Sequence, residues 1–384
     1  MKKDWLHIRY ADAFFLNMGK TPARAEESYW TDGKHPWVSI SDLSGDKFIT
    51  HTKEQISQKA IDDTHIHLVP KGTVIMSFKL SIGKTAIAPF DLYTNEAIMA
   101  FEPKPEISVI PDFLYYYLQY YKWSGNRAVM GETINKAVIS NSYADIPPLS
   151  IQRSIVSELD LLHSVIEKKQ EQLRALDNLA QSLFYQMFSD PITNPMGWQV
   201  KKLGEVGMEK LSYGSGASAI DFDKEVRYIR ITDINDDGSL NNNNVSPSIC
   251  EDKYLLHNGD ILFARTGATV GKTYLHQKSN IKCIYAGYLI RFIPNIDIIN
   301  PLYAFHFTKT QYYHDFVAQA QRAVAQPNIN AQQYSNLPLP LPPLSLQQSF
   351  AAKVETIEAQ KQAITQSIKD VESLLAQRMD HYFG

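Results

Sequence analysis

Ile146-Pro-Pro-Leu-Ser-Ile-Gln152 is answered, 195 residues on, by Leu341-Pro-Pro-Leu-Ser-Leu-Gln347. One string written twice at that distance points to internal duplication, because repeated architecture shows itself as self-similarity at a fixed period. Working outward from the pair, further matches fall in the same order. Trp5-Leu-His-Ile-Arg9 answers Trp198-Gln-Val-Lys-Lys202, and Trp37-Val-Ser-Ile-Ser-Asp-Leu43 answers Tyr228-Ile-Arg-Ile-Thr-Asp-Ile234. Lys71-Gly-Thr-Val-Ile-Met76 answers Asn258-Gly-Asp-Ile-Leu-Phe263, Gly83-Lys84-Thr85 answers Gly271-Lys272-Thr273, and Thr133-Ile134-Asn135 answers Asn328-Ile329-Asn330. The offset drifts from 193 to 187 and returns to 195, as loop insertions and deletions produce.

A helix is expected after each Pro-Pro-Leu-Ser. In the first copy Ile155, Leu159, Leu162, Ile166, Leu173, Leu176, Ala180, Leu183 and Met187 step by fours and threes, broken only at Lys169. In the second, Phe350, Val354, Ile357, Ile364, Ile368, Val371, Leu375 and Tyr382 do the same, broken at Lys361 and Arg378. Apolar residues at a 3.5-residue period are a coiled-coil signal. The unmatched breaks suit an antiparallel pair, with Ser150 and Ser345 as N-caps. Helices of about 34 residues would run roughly 50 Å at 1.5 Å per residue. The domains expected are residues 1–150, a spacer helix 151–190, residues 195–345, and a C-terminal spacer helix 346–384. The fold class is α/β: two mixed α/β domains joined by two long helices in an antiparallel coiled coil, with pseudo-two-fold symmetry. Such a spacer suits two readers on successive turns of B-DNA, which repeats about every 34 Å. Spacers of this kind also separate protein-binding domains.

Short strands are expected at Trp37–Leu43, Thr73–Phe78 and Ala97–Phe101, and at Tyr228–Ile234, Asp260–Ala264 and Leu289–Ile293. Phe113–Tyr121 and Leu302–Tyr312 read as aromatic-rich helices, whose rings are assigned to core packing ahead of base stacking.

The chain has 384 residues, enough for two or three domains, and its 44% hydrophobic content supports ordinary cores. No apolar run reaches the length of a membrane span. The start, Met1-Lys2-Lys3-Asp4-Trp5, lacks the apolar stretch of a signal peptide. Cys250 and Cys283 form neither a disulfide framework nor a metal set. A soluble, cytoplasmic protein is expected. Net charge is −3. Residues 1–150 carry 16 Lys and Arg against 17 Asp and Glu, and residues 195–345 carry 14 against 13. Nucleic-acid binding therefore requires a local basic face rather than a basic total.

Several segments carry a resemblance to a known family: Thr21-Pro22 with Tyr29-Trp30 and Pro36-Trp37-Val-Ser-Ile-Ser-Asp-Leu43, Gly259-Asp-Ile-Leu-Phe-Ala-Arg-Thr-Gly267, Gln326-Pro-Asn-Ile-Asn330, and Leu341-Pro-Pro-Leu-Ser-Leu-Gln-Gln348. The chain resembles, over essentially its whole length, the specificity subunit of type I restriction-modification systems. The first copy departs from the pattern, with Phe78-Lys-Leu-Ser81 where the second has Ala264-Arg-Thr-Gly267. The resemblance implies two target-recognition domains, each reading one half of a bipartite, asymmetric sequence in double-stranded DNA. It implies helices that fix the gap and dock two modification (methyltransferase) subunits. Those methylate adenine with S-adenosylmethionine, while restriction subunits supply ATP- and Mg-dependent translocation and cleavage. It implies no catalytic site and no cofactor in this chain. Because basic residues do not cluster by domain, modest DNA affinity is expected without the modification subunits, and the lack of a long apolar run leaves no membrane partner expected.

Base edges and phosphates are read by Arg, Lys, Asn and Gln. The loop candidates are Arg24, Lys34, Lys79, Lys84, Arg127 and Lys136 in the first copy. In the second they are Arg227, Arg230, Arg265, Lys272, Arg322, Gln326 and Asn328. Lys84 and Lys272 occupy one repeat position, and Lys79 and Arg265 agree within a residue. Between the copies, Gly19–Pro36 and Gly214–Val226 do not match, so similar frames with different loops should read different half-sites.

Other motifs fail on spacing. Gly267-Ala-Thr-Val-Gly-Lys-Thr273 places three residues between its glycines, where a phosphate-binding loop needs four. A strand turn is the better assignment. His65 and His67 have no cysteine cluster or second histidine pair to complete a metal set. No Asn-Pro-Pro-Tyr methyltransferase motif occurs. The competing class is a coiled-coil scaffold whose globes bind protein.

Overall fold

The structure is a computed structural model that describes residues 4–79, 81–123, 126–128, 131–322 and 328–384, with backbone only for 126–128, 131–133 and Arg322. It divides into two compact units, residues 1–168 with 367–384, and residues 169–366. The division cuts both long helices, so each unit holds a globular part and a segment of each helix.

In the first unit a four-stranded antiparallel sheet runs in the order Phe14–Met18, Ile98–Pro103, Val74–Ser77, Thr85–Ile87. Side chains alternate across a sheet. Val74, Met76, Met99 and Phe101 accordingly face the larger core, while Ile75, Ile98 and Ala100 face a second one. Burial on both faces explains why these strands read as continuous apolar runs. Strand His35–Val38 pairs antiparallel with Glu54–Ile56 and parallel with Tyr93–Thr94. Leu6–Arg9 pairs with Tyr143–Ile146, directly before the first long helix.

The second unit repeats this plan. Its sheet runs Ser212–Tyr213, Leu289–Phe292, Ile261–Ala264, Thr273–Leu275. Ile261, Phe263, Ile290 and Phe292 face one core, and Leu262, Ala264 and Leu289 the other. Val226–Ile229 pairs parallel with Lys282–Tyr285, and Gln199–Lys202 antiparallel with Pro338–Leu341.

Several sequence expectations need adjustment. Strands expected at Trp37–Leu43 and Tyr228–Ile234 stop at Val38 and Ile229. The remainder turns into 3-10 helices, Ile40–Asp42 and Ile231–Asp233, because Asp42 and Asp233 reach back to the Ser39 and Arg230 backbone N–H groups at 2.8 Å. Leu302–Tyr312 is not one helix but parts of two, Pro301–Phe307 and Gln311–Arg322. The hydroxyls of Thr308 and Thr310 bond back to Phe305 and Phe307 carbonyls at the break. The aromatic residues of these helices do enter the core: Tyr115, Tyr116, Tyr117, Tyr303, Phe307 and Tyr313 are buried.

The long helices, Leu149–Phe188 and Leu344–Phe383, have 40 residues each, about 60 Å at the standard rise. They begin before Ser150 and Ser345, so neither serine is a cap. The Pro148 carbonyl accepts from Ile151 and Gln152 N–H, and the Pro343 carbonyl accepts from Leu346 and Gln347 N–H.

The expected seams are the sheltered positions. In the first unit Ile155 and Leu159 are buried in a core that Leu375, Met379, Tyr382 and Phe383 join. In the second, Phe184 and Phe188 lie edge-on to Phe350, with ring centroids 5.7 and 5.2 Å apart. The expected seam places Leu183 and Met187 there, but Phe184 and Phe188 are the buried residues. At this end the helix enters the domain core rather than facing one partner helix. Two breaks in the heptad pattern are ion pairs between the long helices. Lys361 meets Asp177 at 2.7 Å in the second unit, and Arg378 donates to Glu158 at 2.8 Å in the first.

Candidate nucleic-acid interface

The Gly-Lys-Thr repeat is the first candidate the structure resolves. Gly83 and Gly271 have φ of 86° and 87°, left-handed values that favour glycine in a turn. Thr85 and Thr273 then open strands Thr85–Ile87 and Thr273–Leu275. A phosphate-binding loop leads into a helix, with its amide groups at the helix start. This one leads into a strand, as the spacing argument required. The two lysines differ in setting. Lys84 is exposed, whereas Lys272 is held by Asp236 at 2.9 Å and by the Ile234 carbonyl at 3.3 Å. Lys272 in turn holds the Asp236 carboxyl below the usual carboxylate range.

Arg265 and Asn328, 63 residues apart, come together. Arg265 Nε donates to Asn328 Oδ1 at 3.3 Å, and the guanidinium lies 4.8 Å from the centre of the Tyr213 ring. The backbone makes the junction. The Ile329 N–H donates to the Arg265 carbonyl at 2.9 Å, Thr266 bridges Asn328, and the Arg265 N–H donates to the Tyr288 carbonyl at 3.1 Å. Sequence reasoning named Arg265 and Asn328 but missed Tyr213 and Tyr288, which are 42% and 61% exposed. Each is adjacent to a glycine, Gly214 or Gly287, a signal too common to single them out.

Of the remaining candidates with described side chains, Arg230 shares a concavity with Tyr288, and none bonds to Arg265 or Asn328. Arg24 forms a two-pronged ion pair with Glu54, one bond at 2.9 Å, and stacks 3.9 Å from the Trp30 ring centre. Arg230 is bonded to Asp233, with distances of 2.8 and 3.1 Å. Arg227 donates to the Asn241 carbonyl at 2.6 Å, and its Nε is buried without a partner. Lys34 and Lys136 are exposed, and Lys79 lies beside the Phe78 ring at 5.5 Å. Arg127 lies in strand Asn126–Ala128 and Arg322 ends helix Gln311–Arg322, both described by backbone alone. Gln326 lies outside the described residues.

Backbone bonds align the two units residue by residue. The Phe78 N–H donates to the Ala97 carbonyl as the Arg265 N–H does to Tyr288, and the Ile134 N–H donates to the Phe78 carbonyl as Ile329 does to Arg265. Phe78 therefore stands in the place of Arg265, Ala97 in that of Tyr288, and, by strand register, Met18 in that of Tyr213. Lys79 corresponds to Thr266, one residue past Arg265.

The same frame is thus folded twice, with different side chains at corresponding loop positions. The family model for the type I restriction modification DNA specificity domain matches residues 2–176 and again residues 195–373. The chain belongs to that family. The MjaIX type I restriction enzyme specificity subunit of Methanocaldococcus jannaschii is 28% identical over 240 residues, 56% of this chain. That alignment spans only 54% of the relative's own length. The MjaVIII specificity subunit of the same organism is 22% identical over 408 aligned positions, covering 97% of this chain and 92% of the relative. Two solved structures share the fold. A chain from a structural study of complex assembly and conformational transition of the type I R-M system superposes with a TM-score of 0.63 at 18% identity, covering 99% of this chain and 98% of that one. The type I S subunit of M. genitalium gives 0.54 at 12% identity, with 98% and 95% covered. Among the described residues of this specificity-family chain, no helix is long and apolar enough to cross a membrane.

Proposed function

We propose that the chain is the sequence-specific DNA-binding subunit of a type I restriction-modification complex. Each globular domain, residues 1–150 and 195–345, reads one half of a bipartite, asymmetric target. The observation that carries this reading is the doubled specificity domain, two copies of one frame whose loop residues differ. A homodimer of identical readers would require an inverted repeat, while two divergent readers in one chain permit an asymmetric site.

The long helices are read as an antiparallel coiled coil that sets the gap and offers a docking surface to two modification subunits. The Lys361–Asp177 and Arg378–Glu158 pairs support that register, since each joins one helix to the other. Polar residues at seam positions specify register at some expense of stability. Adenine methylation with S-adenosylmethionine and ATP- and Mg-dependent cleavage are assigned to partner subunits, and this chain contributes recognition. Its place of action is the cytoplasm, where host and incoming DNA are met.

Co-expression with the modification subunit, followed by co-purification and mapping of methylated adenines, tests the proposal. Methylation confined to one sequence motif is the expected result. A stable complex that methylates without sequence dependence, or not at all, contradicts it.

A further inference from the structure

We propose that Arg265 is a DNA-phosphate anchor present only in the second unit, so that the two halves of the target are held unequally. This rests on the DNA-binding reading above.

The charge of Arg265 is uncompensated. Arg9, Arg24, Arg230, Arg291 and Arg378 each have a carboxylate partner, whereas among the described residues Arg153, Arg174 and Arg227 do not. Among the described residues Arg265 has none. Its partners, the Tyr213 ring and the Asn328 amide, are neutral. A guanidinium held only by neutral groups keeps its full attraction for an anion.

The group is also held in place. The Tyr213 hydroxyl accepts the Ala331 N–H at 3.0 Å, which fixes the ring beneath the guanidinium. Asn328 is fixed by its bridge to Thr266, and the Arg265 backbone is bonded on both sides. Nε is taken by Asn328, which leaves the terminal amino groups to donate. A pre-ordered arginine fork loses little conformational freedom when it binds phosphate, unlike a free lysine.

The surroundings admit a duplex. Tyr288, whose carbonyl receives the Arg265 N–H, lines a concavity of about 660 Å³ together with Ser215, Gly216, Gly287, Tyr228 and Arg230. The small residues Ser215, Gly216 and Gly287 on this lining leave room for a DNA backbone to approach. Arg265 belongs to the sheet frame that the two units share, not to the divergent Gly214–Val226 loop. Phosphate contacts set register and orientation, and base contacts read sequence.

Among the described residues the first unit shows no equivalent. Phe78, at the Arg265 position, is 1% exposed, and Ala97 replaces Tyr288. Its exposed candidates Lys34, Lys84 and Lys136 are lysines with no carboxylate partner among the described residues and no comparable clamp.

The test measures duplex binding by the complex with its modification subunit as a function of salt, for the natural chain, Arg265→Gln, Arg265→Lys and Lys84→Gln. Arg265→Gln should weaken binding about five-fold or more and lower the log–log salt slope by about one, as loss of one phosphate contact does. The loss should be equal on target and unrelated duplexes, with the methylated motif unchanged. Arg265→Lys, which keeps the charge and guards against misfolding of the glutamine variant, should retain the slope. Lys84→Gln should change the slope less than half as much. An unchanged slope in Arg265→Gln, a change of motif, or an equal loss in Lys84→Gln overturns the proposal. Absence of any DNA binding by the natural complex would instead overturn the reading on which it rests.

Discussion

Gln152 and Gln347, 195 residues apart in sequence, make the same three bonds in their respective units. Each is fully buried. The Gln152 side-chain carbonyl accepts the Ile110 N–H at 2.9 Å, and its amide donates to the Ser108 and Pro147 carbonyls at 2.8 and 2.7 Å. Gln347 accepts from Asn300 at 2.8 Å and donates to Ile298 and Pro342 at 3.3 and 2.8 Å. Each glutamine ties the first turn of a long helix to the residue preceding an aromatic helix. Replacing either with leucine keeps the volume but strands buried backbone groups, each costing about 1–3 kcal/mol. Gln152→Leu and Gln347→Leu should each lose roughly 2–4 kcal/mol in urea denaturation. A loss below about 0.5 kcal/mol, the usual range of neutral surface changes, would contradict the assigned role.

His306 makes the second unit acid-sensitive. Burial, with Lys309 and Lys361 adding to it, pushes its imidazole down to about 4, from an ordinary value near 6.5. Its folded pKa lies below its unfolded one, so the unfolded chain binds the proton first. The contribution to stability is complete above about pH 6.5 and is lost as pH falls towards 4, up to roughly 3 kcal/mol. His306→Phe should flatten the stability profile between pH 4 and 6.5, measured by chemical denaturation at each pH. An unaltered slope in that window would count against a buried neutral imidazole.

The end of the C-terminal helix belongs to the core of the first unit. Phe383 meets the rings of Phe113, Tyr117 and Tyr120 at centroid distances of 5.8, 5.6 and 5.9 Å. Phe383→Ala should cost about 2–3 kcal/mol, less than a fully buried phenylalanine because the ring is only partly enclosed. Amide hydrogen exchange should quicken in helix Pro111–Tyr120 and leave strand Ile261–Ala264 unchanged. Equal acceleration in both would contradict the assignment.

A fragment of residues 1–190 lacks the segment that completes its unit. By the 195-residue offset, its own Phe184, Met187 and Phe188 correspond to Met379, Tyr382 and Phe383. A second copy therefore supplies the missing surface, and the fragment should dimerise. Arg378 corresponds to Leu183, so Glu158 would lose its ion partner in that dimer. Restoring it with Leu183→Arg should tighten the dimer, as sedimentation or light scattering would show. A strictly monomeric fragment contradicts this.

Some of this was legible in the sequence and some was not, for physical reasons. The repeat, the helical seams and the Gly-Lys-Thr turns depend on local periodicity and on backbone needs that recur in both copies. The breaks at Lys361 and Arg378 were visible, but their partners Asp177 and Glu158 were not, because a seam does not reveal what faces it. Ion pairing was equally hidden. Arg24 and Glu54 are 30 residues apart, and only the folded loop shows that the arginine is already compensated. Arg265 stood out by its motif, but that Phe78 rather than Lys79 is its counterpart follows from hydrogen-bond register alone. Tyr288 had only the adjacent Gly287 as a signal, too common to single it out, since its exposure is set by the turn that carries it.

The central claim is that each unit reads its own half of the target. Mapping methylated adenines in cells that express the modification subunit with either the full chain or the 1–190 fragment tests it most directly. The account predicts an asymmetric bipartite motif for the full chain, and for the fragment an inverted repeat of that motif's first half. A folded fragment that yields the original asymmetric motif, or a full chain that yields a single undivided one, would contradict it.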